Sequence, residues 1–586
     1  MKSVLCRAWD SSMCRPLDHI ITGRKERKIN RRFIRALTSV LFLYTILGPP
    51  LRAAICSINS HVASCGFLHL SPDMDLLFLI LCCLILYYRH LQSQETNPKW
   101  ESANIHHFHD CATALLADAG YSLESKEILG QRYFATCDPA NVRHVFTSNF
   151  NNYPKGHEYA EIFDVLLGAG IMNSDGESWR RQRAKAQMLM TAPRFRAFTA
   201  QCSRDKVEKS LPPFLALAAD EGRPCDLQDV FLRLSFDLTC TLVFGVDTGC
   251  LHGHWAAGGS LHARHGRYVG DDFPPPRHPH GVLETDEKAK CWAREEDGRT
   301  IDSFIAEMVA RARRRADDKS NEGAADLFSS FLCHDNTSDD GESTDEFIRD
   351  TTVNLLFAGR DGPATGLSWL FYLVSKNPRV EQKLLEELSA LVATLRDGAG
   401  SAVDTSGGGG GGGMVTFGRS EVNSLVYLHA ALCEPLRLYP PVPFEHKVAA
   451  AADVLLSGKE LKAGAKILFL NYSMGRMEGV WGKDCTEFWQ ERWVTKEGKL
   501  RHEPSYKFFS FNTRPRTCLG KELAFVQMKT AAAAVLWNFV VEVVPGHVVK
   551  PKLSPILHMK NGLIVRVHRR FHGPQVEASD DSPRKK

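Results

Sequence analysis

Residues Phe511 to Gly520 read Phe-Asn-Thr-Arg-Pro-Arg-Thr-Cys-Leu-Gly, and this run restricts the fold more than any other. It is a tight loop, and from Lys521 the chain continues ELAFVQMKTAAAAVLWNF, an alanine-rich stretch with apolar residues at helical spacing. Cys518 therefore falls at a helix N-terminus, where backbone N–H groups and the positive end of the dipole favour an anionic sulfur. Arg516 places a cation two residues away, and Phe511 offers a flat apolar wall. A lone cysteine in apolar surroundings is more often an inert buried residue. Taken alone, the loop divides evenly between that role and a thiolate bound to haem iron, with Phe511 against the porphyrin and Arg516 pairing a propionate.

The loop resembles that of the cytochrome P-450 family, Phe-x-x-Gly-x-Arg-x-Cys-x-Gly. The resemblance implies a mainly α fold with small β-sheets and a single haem b domain. Cys518 would be the axial iron ligand, with Phe511, Arg516 and Gly520 at the cofactor. Arg514 stands where the family has its first glycine. Holding a bulky residue at positive φ costs about 1–2 kcal/mol, so a strained Arg514 and weakened haem affinity are expected.

Three further segments carry the same resemblance. Trp179 and Arg183 follow the turn Gly168-Ala169-Gly170 and lie four apart, hence on one helix face, where both can donate to a propionate. Glu434 and Arg437 are three apart; other Glu-x-x-Arg copies exist, but only this one continues Leu438-Tyr439-Pro440-Pro441-Val442-Pro443. In the family that helix is locked by a later arginine, here Arg492, so a structural Glu434–Arg437–Arg492 network is implied. Pro435 inside the helix is a departure costing about 3 kcal/mol. The fourth segment, about residues 345–376, holds Ala358-Gly359-Arg360-Asp361-Gly362-Pro363-Ala364-Thr365. Ala358 and Gly359 lack bulk and let a haem edge approach, Pro363 predicts a kink, and Asp361 can relay protons. The family pattern Ala-Gly-x-Asp-Thr-Thr puts its proton-delivering threonine at Gly362. Thr365, about a turn further, is the expected substitute acting through water.

Ala358 to Asp361, Met172 to Trp179 and His502 to Phe509 are similar to the plant clan of fatty-acid omega-hydroxylases and midchain alkane hydroxylases. The resemblance covers roughly 104–248 and 301–571. It implies a monooxygenase that hydroxylates long-chain aliphatic substrates with dioxygen and electrons from NADPH through a reductase. The reductase would dock on a basic face beneath the haem. Two rivals stay open: a haem-thiolate isomerase or lyase of fatty-acid hydroperoxides, which needs no threonine at 362, and a non-catalytic haem binder. Chain length and hydroxylation position are not legible.

A charge of +4 from 72 basic and 68 acidic residues gathers into no nucleic-acid face. The 17 cysteines are irregularly spaced without a C-x-x-C pair, which fits reduced cytosol-facing thiols. Leu76 to Tyr88 is uncharged and followed by Arg89. It is short for the ~20 residues that span a bilayer, so a buried helix is the alternative to a membrane anchor over 74–90. The family's anchors begin near the N-terminus, so Met74 is the expected start and 1–73 a doubtful extension. The expected location is the endoplasmic reticulum membrane, in contact with lipid, with the catalytic domain (91–571) on its cytosolic face and a lipophilic small-molecule substrate. Within that domain, 249–300 reads as an atypical insert rich in Gly, His and Pro, and 399–413 as a glycine-rich linker. Residues 572–586 read as a disordered polar tail.

Overall fold

The computed structural model describes residues 107–124, 133–251, 302–315, 326–329, 345–398 and 414–570. All fall in one unit, Leu81–Lys586. The expected extension 1–73, the anchor 74–90, the insert beyond its first three residues, the linker 399–413 and the tail 572–586 lie outside the described residues. Among the described residues, no helix is long and apolar enough to cross a membrane.

The architecture is mainly α with small sheets. Seven helices frame the site: α1 Gly176–Thr191, α2 Pro193–Asp220, α3 Leu227–Phe244, α4 Asp345–Ser375, α5 Pro378–Gly398, α6 Val426–Leu438 and α7 Lys521–Asn538. In α7 every residue from Phe525 to Trp537 is buried, so the helix is core on all sides rather than amphipathic. Its alanines 531–534 keep the cylinder thin, and α4 crosses it closely. A Cβ on Gly366 of α4 would lie 2.7 Å from Met528 Sδ. Leu211, Leu234, Trp369, Leu384, Leu432 and Val535 bring α2, α3, α4, α5, α6 and α7 into one apolar cluster. Burying each such side chain contributes roughly 1.5–3 kcal/mol.

That packing explains why the interior prolines of α4 and α6 are tolerated. Both α4 and α6 keep helical geometry through Pro363 and Pro435. Each proline removes a backbone donor at a cost of about 3 kcal/mol, and the surrounding core offsets it.

The sheets are peripheral. Strands β1 Ser122–Glu124, β2 Tyr133–Thr136, β4 Phe444–Val448 and β7 Lys466–Leu470 form one sheet in the order β1-β2-β7-β4. Only the β2–β7 pair is parallel. Strands β3 Cys225–Asp226, β8 Phe539–Val543 and β9 Ile564–Arg569 form an antiparallel sheet ordered β3-β9-β8, and β5 Asp453–Val454 pairs β6 Glu460–Leu461. The first sheet matters for function because β4 carries Lys447 into the interior, where it is 1% exposed.

Candidate active site

The cysteine loop closes on itself. Cys518 N–H donates to the Phe511 carbonyl at 2.8 Å, and α7 starts directly after Gly520, whose carbonyl accepts from Ala524 N–H at 2.8 Å. Phe511 is partly buried, with its ring centroid 5.3 Å from that of Phe525 and the Lys521 ammonium 5.5 Å above it. Cys518 is open to a cavity of about 810 Å³ whose wall includes Trp179, Arg183, Met190 and Val526. It lies deep enough that desolvation pushes the thiol pKa up, while the Gly520 N–H and the charges of Arg183 and Lys521 oppose that rise. These are the groups that favour a thiolate once a cation takes the sulfur.

The strain expected at Arg514 is elsewhere. Arg514 does not have positive φ; the loop's left-handed residue is Asn512, at φ 57 and ψ −175. Such a conformation costs a non-glycine residue about 1–3 kcal/mol. Asn512 tolerates it because its side chain caps locally: Oδ1 accepts from Thr513 N–H at 2.7 Å and Nδ2 donates to Glu445 at 3.2 Å. Arg514 itself is exposed, and its carbonyl accepts from Thr147 at 3.2 Å.

Trp179, Arg183 and Arg516 converge beside this loop. The Arg516 guanidinium stacks 4.2 Å over the Trp179 ring and donates to Asp175 at 2.6 Å and to the Ser174 carbonyl at 2.9 Å. Its Nε is buried with no hydrogen-bond partner. Lys447 is in the same condition, its buried ammonium facing only the rings of Phe146 and Phe150 at 5.2 and 5.4 Å. Burial, with Arg516 and Lys155 nearby, pushes Lys447 down to about 7. Lys447, whose ammonium has no hydrogen-bond partner, and Arg516, which keeps a spare Nε beside its Asp175 pair, form a cationic cradle that haem propionates would match. Sequence reasoning missed Lys447, because a lysine on a short strand carries no signal of burial.

On α4 the open face differs from the expected one. Ala358 is exposed although it lies midway along a buried helix, and a Cβ on Gly362 would meet nothing within 4 Å. These positions are four apart and share a face. Gly359 does not share it: its Cβ would fall 2.5 Å from Thr239 Oγ1 of α3, so this glycine permits helix packing rather than cofactor approach. Neither Ala358 nor Gly362 lines the 810 Å³ cavity around Cys518. Asp361 is buried 3.4 Å from His558 and 3.7 Å from Arg360. Burial raises its carboxyl pKa, but His558 and Arg360 outweigh that and leave it below the ordinary value. Thr365 is fully buried, its hydroxyl without a hydrogen-bond partner. It stands one turn from Asp361, not on the Ala358–Gly362 face.

Beneath α4 and α7, the structure brings Glu434, Arg437 and Arg492 together. Arg437 donates to Glu434 at 2.6 and 3.2 Å, Arg492 at 3.2 Å, and Trp493 Nε1 at 2.7 Å. Arg437 also donates to the carbonyls of Cys485 at 2.5 Å and Glu487 at 3.0 Å. Glu434 is 0% exposed, and its negative charge is matched by two guanidinium groups. The pattern pins the loop around 484–493 to α6, and none of its three charged residues lines the Cys518 cavity.

The residues present therefore fit a haem: a reachable thiol at a helix start and a cationic cradle for carboxylates. A family model described as Cytochrome P450 matches residues 127–566. Noroxomaritidine synthase of Narcissus aff. pseudonarcissus MK-2014 is 39% identical over 480 residues, covering 79% of this chain and 88% of that relative. Cytochrome P450 86B1 of Arabidopsis thaliana is 39% identical over 447 residues, 74% of this chain and 77% of the relative. Alkane hydroxylase MAH1 of Arabidopsis thaliana is 37% identical over 449 residues, covering 74% and 84%. On these grounds the chain belongs to the cytochrome P450 family, as a haem-dependent monooxygenase.

Proposed function

We propose that this enzyme hydroxylates long-chain aliphatic substrates, fatty acids or alkanes, using dioxygen and electrons from NADPH passed through a reductase. The observation that carries the reading is an accessible Cys518 thiol at the start of α7, with Trp179 and Arg183 in the wall of the same cavity. Similarity to a relative named alkane hydroxylase supports the aliphatic class.

Haem bound through Cys518 supplies dioxygen activation strong enough to oxidise an unactivated C–H bond. The chain's own residues do the rest. Arg183, Lys521 and the Gly520 N–H hold negative charge on the Cys518 sulfur against the cost of burial. Trp179, Arg183, Arg516 and Lys447 fix the carboxylate edge of the cofactor. Ala358 and Gly362 leave an uncrowded face on α4 that would admit a substrate or a cofactor edge. Asp361, a carboxylate kept ionised by His558 and Arg360, can accept and pass on a proton beside that face, and Thr365 offers a second site one turn along the Asp361 stripe. With no hydroxyl at 362, protons must travel by a longer route, so reduced oxygen escapes in part as peroxide. Arg180, Arg196, Arg419 and Lys521 rim the Cys518 cavity and present the cationic surface on which an acidic reductase would dock. Residues 74–90 would hold the enzyme at the endoplasmic reticulum membrane.

The test is a product profile from chains of graded length, alkanes and fatty acids, with a reductase and NADPH. Hydroxylated products with NADPH consumption support the reading; turnover of fatty-acid hydroperoxides without NADPH would sink it. A second reading rests on one observation: a relative named noroxomaritidine synthase is 39% identical, against 37% for the one named alkane hydroxylase. Formation of noroxomaritidine, with no aliphatic product, would select it.

A further inference from the structure

The face of α4 that carries Asp361 holds more polar chemistry than the monooxygenase reading has used. Asp361, Thr365 and Trp369 recur every four residues and form one stripe along the helix. Against it lies the segment 557–559, fixed from both sides. Trp369 Nε1 donates to the Leu557 carbonyl at 2.8 Å, and Gln228 of α3 accepts from Met559 N–H at 2.7 Å while donating to its carbonyl at 3.2 Å. Leu557 N–H also donates to the Pro441 carbonyl at 2.9 Å. The clamp sets His558 opposite Asp361, with Nε2 3.4 Å from Oδ1. Neither atom has a hydrogen bond, nor does Thr365 Oγ1, and all three are buried. The His558 side chain as a whole is nonetheless 22% exposed. Its ring thus reaches from solvent to a sealed carboxylate.

We propose that His558 is the proton-transfer partner of Asp361, a positioning residue that recharges the carboxyl from solvent in place of the missing hydroxyl at 362. The inference rests on Asp361 serving as proton carrier in the proposed monooxygenase. The transfer moves one proton and no electrons. The imidazolium Nε2–H bond breaks as an Asp361 O–H bond forms; the carboxylic acid passes its proton on towards the Ala358–Gly362 face; the neutral imidazole, which keeps Nδ1–H and is bare at Nε2, regains a proton there from water when its ring turns to solvent. Among the described residues, the charged or titratable groups facing Asp361 are His558 and Arg360, and guanidinium does not release protons near neutral pH. Only the histidine can therefore serve as donor.

The test uses the full-length, haem-loaded enzyme and its variants His558→Gln and Asp361→Asn. Infrared titration with carbon-13-labelled aspartate follows the carboxyl independently of turnover, and Asp361→Asn assigns the band by removing it. The expected result is an upward shift of that titration in His558→Gln, because a neutral amide cannot offset burial. Product per NADPH should fall on the order of tenfold in His558→Gln, less than the ~10²-fold typical of losing a direct proton donor. Because the two groups act in series, the double variant should be no worse than Asp361→Asn alone. An unmoved carboxyl titration, or additive losses in the double variant, overturns the proposal. If no alkane or fatty acid is hydroxylated while the carboxyl shift is present, the aliphatic reading fails and the pair stands. Should His558→Gln lose its thiolate-type absorption band, His558→Asn carries the same measurements.

Discussion

The Glu434–Arg437–Arg492 node and the Asp361–Thr365 stripe are both buried charged clusters, yet they are built oppositely. In the first, both Glu434 oxygens accept at least two hydrogen bonds and three cation or indole donors surround them. In the second, Asp361 Oδ1, Thr365 Oγ1 and His558 Nε2 lie within the core with no hydrogen bond at all. Buried polar groups are normally paired, and leaving one unpaired costs about 1–3 kcal/mol. A protein that satisfies one cluster fully and leaves the other open uses the first as a rigid seat and the second as a site where protons move. Lys447, and Arg516 at its Nε alone, follow the second pattern, a need that the carboxylates of a bound cofactor would meet.

The largest expected effect breaks the seat at its chemical centre. Cys518→Ser replaces the thiolate with a weakly acidic hydroxyl, and the reduced, carbon monoxide-bound spectrum should lose its thiolate-type band completely, with activity at background. Retention of that band would remove Cys518 from the site. Next comes Glu434→Ala, which leaves Arg437, 2% exposed, without its carboxylate. Removing one partner of a buried pair costs about 3–5 kcal/mol, enough to prevent folding or to lower the thermal midpoint sharply. A loss under 1 kcal/mol in thermal unfolding would show that the carbonyl acceptors around Arg437 hold the node without the acid.

Lys447→Met tests the open pattern from the other direction. An unpaired buried ammonium destabilises the chain until a propionate answers it, so the haem-free variant should be about 1–3 kcal/mol more stable than wild type and should hold haem more weakly. The pH dependence has a definite sign. Burial lowers Lys447 from 10.5 to about 7, so the unfolded chain binds more protons between those values, and haem-free stability should rise with pH across that window. The slope should vanish in Lys447→Met. Denaturant unfolding of haem-free protein at several pH values reads both effects; an identical slope in the variant would assign the dependence to other groups.

What the sequence made legible follows the same division. The cysteine loop, the Trp179–Arg183 face and the Glu434–Arg437 spacing are local patterns, readable because four or five residues on one turn determine the geometry. Lys447 and His558 were hidden, because their importance comes from packing against Phe146 and Asp361, distant in sequence. The strained residue was misplaced to Arg514, since which loop position takes positive φ depends on the whole turn, and Asn512 takes it through its own side-chain hydrogen bond. Gly359 was assigned to the open face, although helical rotation of about 100° per residue separates it from Ala358, while Gly362 lies four residues on and returns to it.

The smallest expected effect sharpens the contrast most. Gly362→Thr places a hydroxyl on the Ala358–Gly362 face, where a Cβ meets nothing within 4 Å. Replacing glycine inside a helix recovers up to about 0.5 kcal/mol of propensity, so stability should change little. If the Asp361–His558 route is the longer detour forced by the missing hydroxyl, the new side chain should shorten it. The ratio of peroxide to hydroxylated product should then fall a few-fold, with NADPH consumption nearly unchanged. The same substitution in a His558→Gln background separates the routes. A threonine that still improves the ratio there draws protons without the histidine, whereas one that fails there depends on it. Gly359→Ala, one residue along the family pattern, is the control: its Cβ would be forced against Thr239, so it should destabilise the helix pair and leave the peroxide ratio where it was.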